Sequence, residues 1–418
     1  MFSHASASLL ESLIWEEVFA PHVAVKFKRE NDEDPPMDSA DVAAICRKID
    51  RVFGWAPSTS CKNITSAHQG LSRDDVIKRH EEMVKDRKIL KKLLEAPGIE
   101  QRTPAWYAAR EGLITASDFA QALGQGKFAS QRDFYLKKVD PASASSSFGG
   151  MSSSPALKWG VMFEPVASDV YSARNGNIKV HEFGLLRHPT IPHIGASPDG
   201  ITDAGVMVEI KCPFQRKINR EVPYQYYCQI QGQLEVCGLK YCDYLECEFE
   251  KYDNFDEFVA DSMAQQKNEI EESSPSHLGY SMRTGREKGI IAEFRGQRDE
   301  GSKYEYSPLP FDHPDAKLFD VVLKEWMESV EKNRPDFKEF TYWHLNTYSV
   351  LRVEADPVII AEVLKDLDAV WKKILMYRKD RSAYDKEILQ KSNSGRSTST
   401  AKTSNNFKPL EGFAFRDD

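Results

Sequence analysis

Apolar residues near the start of the chain recur at near-helical spacing and predict one long amphipathic helix. Ser72 and Asp75 form a typical helix start, and Ala96-Pro97-Gly98 stops the pattern. The apolar positions between these two signals are Val76, Ile77, Met83, Val84, Leu90, Leu93 and Leu94. We therefore predict that residues 1–98 form a helical N-terminal extension, whose apolar face packs against the rest of the chain or another copy.

Helical and extended patterns alternate from Thr103 onward, which is typical of a mixed α/β domain. Thr103-Pro104 begins a helix that ends near Gly112, because proline is favoured at the first helical position. Residues 289–294 predict a late strand. Two more helices are predicted at 315–332 and 356–379.

These patterns divide the chain into four parts. The mixed α/β domain is predicted at 99–345, after the N-terminal extension. A C-terminal helical segment follows at 346–390. The last part, 391–418, is rich in Ser, Thr and Asn and is predicted to be disordered, because it has too few apolar residues to form a core.

Composition narrows the class of protein. The chain has 418 residues, more than one compact core usually holds, and no apolar run approaches the ~20 residues of a membrane span, so no membrane association is expected. The net charge of -8 does not by itself favour a nucleic-acid partner. Seven scattered cysteines without a CxxC pair indicate neither a disulfide framework nor a zinc site. An intracellular, reducing compartment is expected, whether nucleus or cytoplasm.

A hairpin motif carries the strongest chemical signal. Gly195 to Gly200 is followed by a short polar turn and then by the β-forming run Val206 to Pro213. Alternation along the second strand places Glu209 and Lys211 on the same face. If the turn centres on Asp203, Ser197 lies opposite Glu209, and Asp199 lies diagonal to it at about 7–8 Å. Two carboxylates and one amine would then converge.

This set of groups suits a metal-assisted hydrolysis. Hard divalent cations such as Mg²⁺ take carboxylate and carbonyl oxygens, and such an ion polarises a phosphodiester and lowers the pKa of bound water. Lys211 would orient or deprotonate that water. The alternative is an ordinary surface hairpin with a Glu/Lys ion pair.

A third carboxylate lies upstream of the hairpin. Glu164 follows Trp159-Gly160 at the edge of an apolar helical face that continues to Tyr171. Pro165 argues against an unbroken helix at this point, because it lacks a backbone donor. Glu164 could equally be an exposed helical acid.

Two further segments could bind phosphate. Arg110 lies near the end of one predicted helix, and Ser117 is predicted to be the N-cap of the next, 118–123, so that together they could form a pocket for a terminal phosphate. Ser117 could instead be a plain cap. Gln229 belongs to a stripe with Gln225 and Gln233 that could hold water or phosphate oxygens, or could simply face solvent.

The order of these motifs resembles that of a known family. Arg110 with Ser117, Trp159-Gly160 with Glu164, Ser197-Pro198-Asp199-Gly200, Glu209 to Phe214, and Tyr226 with Gln229-Ile230-Gln231 are similar to the phage lambda exonuclease family, also called the YqaJ-type viral recombinases. That family is part of the PD-(D/E)xK nuclease superfamily. The resemblance implies a restriction-endonuclease-like fold, with a mixed central sheet flanked by helices.

The resemblance also assigns roles to the matching positions. Asp199, Glu209 and the carbonyl of Ile210 would hold the metal, with help from Glu164, and Lys211 would activate water. The phosphate at a 5′ end would be gripped by Arg110, Ser117, Ser197 and Gln229. The implied metal is Mg²⁺, with Mn²⁺ as an alternative.

The implied activity is 5′-to-3′ digestion of one strand at the ends of double-stranded DNA, in recombination, repair or viral DNA processing. The resemblance also implies a single-strand-annealing partner and a homotrimer. The additions at both ends put the trimer in doubt and favour a large-DNA-virus or eukaryotic-type relative. Two alternatives stay open: a related structure-specific endonuclease, and a non-catalytic DNA-end-binding protein.

Overall fold

The structure is a computed structural model that describes seven stretches of the chain: residues 85–96, 98–127, 129–141, 154–264, 276–296, 302–312 and 315–389. The predicted disordered tail at 391–418 and most of the predicted N-terminal extension lie outside these stretches. The described end of the extension, 85–95, is a helix (α1). No helix in the described stretches is both long and apolar enough to span a membrane.

Helices and strands alternate along the chain, which confirms the predicted mixed α/β class. The helices after α1 are α2 (Pro104–Glu111), α3 (Phe119–Ala122), α4 (Gln131–Val139), α5 (Pro155–Arg174), α6 (Tyr224–Cys237), α7 (Phe255–Ala260), α8 (Ala316–Asn333), α9 (Pro357–Lys379) and α10 (Arg381–Tyr384). The strands are β1 (Ile114–Thr115), β2 (Val180–His181), β3 (Leu186–Arg187), β4 (Ile194–Ala196), β5 (Gly200–Thr202), β6 (Met207–Lys211), β7 (Tyr241–Lys251), β8 (Ser262–Ala264), β9 (Ser276–Ser281), β10 (Lys288–Phe294), β11 (Lys303–Tyr306) and β12 (Phe337–Glu354). The predicted late strand is β10, and the two predicted late helices are α8 and α9.

Seven strands form the main sheet, in the order β11-β10-β12-β7-β6-β5-β2. Among these described strands β6 and β7 are parallel and the other neighbours are antiparallel. A second sheet, β1-β4-β3, lies beside α6 and brings the segment after α2 next to β4. The segment after β1, strand β4 and strand β6 therefore all lie beside α6.

Helices cover both faces of the main sheet, so β6 is buried on both sides. Val208 and Ile210 belong to the core under α5, whereas Met207 belongs to the core formed with α6 and α9. This is the alternation predicted for the strand. It places Glu209 and Lys211 on the α6 face, directed toward a helix that carries glutamines.

The strand β12 crosses the boundary that the sequence pattern placed between residues 345 and 346. It pairs with β7 along most of its length, with a bulge between Leu345 and Thr347. Residues 346–354 thus belong to the sheet, and helix begins only at Pro357. Tyr348, Val350 and Val353 are strand-forming residues, and their pairing with β7 continues the strand past the predicted boundary.

Helix α5 runs without a break through Pro165, so the predicted interruption at this residue is wrong. Proline deprives the carbonyl four residues earlier of its donor, and that carbonyl belongs to Val161, on the exposed side of the helix. Water can replace the missing bond there. Nearby, the hydroxyl of Tyr306 donates to the carbonyl of Met162 at 3.1 Å.

Candidate active site

The hairpin of β5 and β6 brings Asp199 directly opposite Glu209. The register pairs Gly200 with Val208, so the residue before Gly200 meets the residue after Val208. The predicted register, with Ser197 opposite Glu209, is wrong because the turn holds three residues and ends at Gly205, whose φ is +79°. The two carboxylates are therefore closer than the predicted diagonal arrangement.

Asp199 is partly buried and lies near the negative charges of Glu209 and Glu164. Its Oδ2 accepts a hydrogen bond from the amide of Ile210 at 2.8 Å, which places the Ile210 peptide beside the carboxylate. Burial raises the pKa of Asp199 well above its usual value, and the neighbouring charge of Glu209 raises it further. Lys211 opposes this effect but does not cancel it.

Glu209 is fully buried and is the centre of a hydrogen-bond network. Its Oε1 accepts from the ammonium of Lys211 and from Nε2 of Gln229, the latter at 2.6 Å, and its Oε2 accepts from Gln233 at 2.8 Å. Gln229 thus contacts the site through Glu209, and its role as a phosphate ligand stays a prediction. Gln233 was missing from the predicted site, although its place in the same helical stripe was a usable signal.

Lys211 stays positively charged in this arrangement. Burial alone would lower its pKa, but the carboxylates of Glu209 and Asp199 raise it above the usual value. Its Nζ also lies 5.1 Å from the centre of the Tyr226 ring. A lysine held in this form donates hydrogen bonds and offsets negative charge, whereas accepting a proton would require a change in its surroundings.

Glu164 lies within electrostatic range of Asp199 but is turned toward a different partner. Its charge contributes to the raised pKa of Asp199, while its Oε2 accepts from Nη2 of Arg102 at 2.6 Å. Arg102 has a left-handed backbone, with φ at 65°, and the sequence pattern did not predict it. Within the described stretches, no three His, Cys, Asp or Glu side chains are grouped closely enough to hold a metal ion.

Three of the four residues predicted to grip a terminal phosphate, Arg110, Ser117 and Ser197, form a connected chain. Arg110 donates from Nη2 to the hydroxyl of Ser117 at 3.0 Å and lies 4.2 Å from the centre of the Trp106 ring. Trp106 in turn donates from Nε1 to the hydroxyl of Ser197 at 3.0 Å. Sequence reasoning missed Trp106, which joins the two halves of the predicted pocket.

Thr115, and not Ser117, is the N-cap after β1, so the predicted capping role of Ser117 is wrong. Thr115 and Asp118 form a capping box around the 3₁₀ turn Ala116–Asp118. A hydroxyl that does not cap the helix is available to Arg110, as observed. Asp118 is buried and paired with Lys138 at 2.9 Å and with Lys137 at 3.1 Å.

The donor set at the hairpin suits a hard divalent cation. The carboxylates of Asp199 and Glu209, with the carbonyl of Ile210, would supply oxygen donors of the kind that Mg²⁺ prefers. Burial and then the charge of Glu209 raise the pKa of Asp199, and a bound cation would offset both effects. These residues therefore fit the ion expected from the sequence resemblance.

Comparison with known proteins matches this region to one family. Residues 105–240 match the family model of the YqaJ-like viral recombinase domain. An uncharacterized protein of Acanthamoeba polyphaga mimivirus is 26% identical over 330 residues, which cover 72% of this chain and 56% of that protein. An African swine fever virus protein is 28% identical over 169 residues, covering 33% of this chain and 46% of that protein. The chain thus spans about half the length of these curated relatives.

Among solved structures, an alkaline exonuclease from Laribacter hongkongensis is similar in 69% of this chain and all of its own, with 19% identity and a TM-score of 0.36. The family match, at 105–240, holds every residue that the sequence motifs predicted for the site, from Arg110 to Gln229. The predicted resemblance is thereby confirmed: residues 105–240 of this chain are similar to the YqaJ-like viral recombinase domain.

Proposed function

We propose that this protein is a metal-dependent deoxyribonuclease that digests linear double-stranded DNA from its ends, in the 5′-to-3′ direction. One observation carries the proposal: Asp199 and Glu209 face each other on a hairpin, with Lys211 bonded to Glu209. The family match and the name of the bacterial relative, an alkaline exonuclease, support a nuclease acting on DNA.

Asp199, Glu209 and the carbonyl of Ile210 would hold the ion, Mg²⁺ or Mn²⁺, with Glu164 assisting. When bound, such an ion supplies a water of lowered pKa and polarises the phosphodiester. Gln229 and Gln233 keep the Glu209 carboxylate in one orientation, since each donates to a different oxygen. This fixed orientation limits the reorganisation that the site would need during the reaction.

Lys211 would act as a donor in this reaction. Its ammonium, charged beside two acids, would orient the attacking water and offset the negative charge that develops on the phosphate. Deprotonation of the water by Lys211, as the family resemblance implies, requires its pKa to fall. A cation shared by Asp199 and Glu209 would produce that fall, because it competes for the charges that now raise the pKa.

The chain of Arg110, Ser117, Trp106 and Ser197 would recognise the 5′-terminal phosphate. A guanidinium and hydroxyls are suitable donors for phosphate oxygens, and Arg110 is already positioned by Ser117 and the Trp106 ring. The site would contact the DNA backbone and not its bases, so affinity should fall steeply with salt. A homotrimer and a single-strand-annealing partner remain proposals based on the family resemblance.

The test is digestion of end-labelled linear duplexes, with and without a 5′-phosphate, in Mg²⁺ or chelator. We expect ion-dependent shortening from the 5′-phosphorylated end, and Asp199→Asn is the catalytically impaired control. Cutting of circular DNA that Arg110→Ala leaves unchanged would favour the endonuclease. Binding of linear duplex in Mg²⁺ without any cleavage would favour the DNA-end-binding protein.

A further inference from the structure

An arginine of the C-terminal helix α9 caps the ends of two helices beside the terminal-phosphate residues. Nη2 of Arg378 donates to the carbonyl of Glu111 at 2.9 Å and to that of Lys138 at 2.7 Å, and its Nε donates to the latter at 3.2 Å. These carbonyls lie at the carboxyl ends of α2 and α4, where main-chain oxygens lack helical donors and carry partial negative charge. One planar cation therefore holds two helix ends together.

The side chain of Lys138 extends this connection into the phosphate-binding segment. Its Nζ donates to the carbonyls of Arg110 at 2.9 Å and Leu113 at 2.5 Å, and it pairs with Asp118 at 2.9 Å. Arg378 therefore binds the main-chain carbonyl of Lys138. The side chain of Lys138 in turn binds the main chain between Arg110 and Ser117. A shift of α4 relative to α2 would change the distance between the Arg110 guanidinium and the Ser117 hydroxyl.

We propose that Arg378 is a positioning residue for recognition of the DNA end, which sets the geometry of the Arg110–Ser117 pair and with it the preference for a 5′-phosphate. The inference rests on the function proposed above. It assigns a role to helix α9, which lies outside the matched residues 105–240. Lysine cannot replace this arginine fully, because a single ammonium cannot reproduce the paired Nε and Nη2 bonds to the carbonyl of Lys138.

The docking of α9 itself does not depend on Arg378. The helix buries an apolar face in the core shared with α6: Ile360, Val363, Leu367, Val370 and Ile374. Removing the guanidinium should therefore leave α9 docked. Only its hydrogen bonds to the ends of α2 and α4 would be lost. This separation between packing and positioning makes the role testable.

The experiment compares Arg378→Ala with Lys379→Ala in the full-length chain. Lys379 is the adjacent, exposed cation of the same helix turn and serves as the matched control. The dissociation constants for blunt duplexes with a 5′-phosphate and with a 5′-hydroxyl are measured by fluorescence anisotropy in chelator. Digestion in Mg²⁺ then gives kcat and KM for the same two ends.

We expect Arg378→Ala to lower the preference for the phosphorylated end roughly tenfold, mainly through KM, because small displacements of binding groups have effects of this size. Lys379→Ala should keep the wild-type preference, and Arg378→Lys should fall between the two. If Arg378→Ala melts at a much lower temperature, the preference is measured for Arg378→Lys and Arg378→Gln well below their melting points.

An unchanged preference in the folded Arg378 variants would overturn the inference. A wild-type chain that does not distinguish the two ends would overturn it as well, even if it digests DNA. Failure of the proposed function looks different: the wild-type chain would leave DNA intact in Mg²⁺ while still binding phosphorylated ends more tightly, and a loss of that preference in Arg378→Ala would still support the positioning role.

Discussion

Two adjacent lysines share the carboxylate of Asp118 but differ in burial, and this difference yields a quantitative prediction. Lys138 is 1% exposed and Lys137 is 50% exposed, while their Nζ atoms lie 2.9 and 3.1 Å from the carboxylate. Burial alone would raise the pKa of Asp118, but the charges of Lys138, Lys137 and Arg110 hold it well below its usual range. The carboxylate is therefore charged at neutral pH.

Lys138→Met should cost about 3–5 kcal/mol of unfolding free energy, because it leaves the buried charge of Asp118 without its main partner. It also removes the side-chain donor to the carbonyls of Arg110 and Leu113. Methionine fills much of the volume of the lysine stem, so a cavity contributes little. Lys137→Met removes an ion pair at nearly the same distance on the solvent side and should cost about 0–1 kcal/mol.

The assay is urea denaturation of the full-length chain and the two variants at pH 7, with unfolding monitored by circular dichroism. A clear difference in midpoint, with an unchanged slope, would support the burial argument. Equal losses in the two variants would refute it, because burial would then not determine the strength of the pair. A Lys138→Met variant as stable as wild type would refute it too, since the buried carboxylate would then need no cation.

Three further predictions concern the site, the hairpin turn and pH. Asp199→Asn and Glu209→Gln should each lower nuclease activity by about 10³-fold or more, as should chelator, while end binding measured by anisotropy changes far less. Gly205→Ala should destabilise the chain by about 2–3 kcal/mol in thermal melts. Gly205 has φ +79°, and a Cβ there would lie 2.5 Å from Cβ of Asp86. An unchanged melting temperature would contradict this. Burial lowers the pKa of His344. The contribution of His344 to the free energy of unfolding is therefore complete above about pH 6.5 and declines as pH falls toward the lower pKa of the folded chain. If His344→Gln leaves the loss of stability between about pH 7.5 and 5.5 unchanged, another group causes it.

Local patterns were sufficient for most of the fold. Helices α8 and α9 and strand β10 lie where the residue patterns predicted them, because amphipathic patterns record which face of an element is buried. The predictions at Pro165 and at residues 346–354 were wrong, because the conformation there depends on surroundings that a local pattern does not record. Exposure of one carbonyl to water permits proline inside α5, and pairing with β7 extends β12 beyond residue 345.

The sequence predicted that Glu209 and Lys211 would lie together but not which contacts the predicted site residues make. Alternation along β6 placed Glu209 and Lys211 together, which the structure confirms. The sequence pattern paired Glu209 with Ser197, whereas the structure pairs it with Asp199. The reason is that the turn, which ends at the left-handed Gly205, is centred one residue later than predicted. No spacing rule indicated that Arg102 binds Glu164 or that Trp106 bonds Ser197, since these partners are 62 and 91 residues apart.

The amino-acid sequence alone determined the α/β class, the order of the motifs and the kinds of groups brought to the site, because periodicity and spacing are properties of neighbouring residues. Only the tertiary structure decided which groups hold one another in place. Arg378 and Glu111 are 267 residues apart and meet because α9 packs across the ends of α2 and α4. Contacts of this kind depend on how whole elements pack, and they leave no periodic trace in the chain.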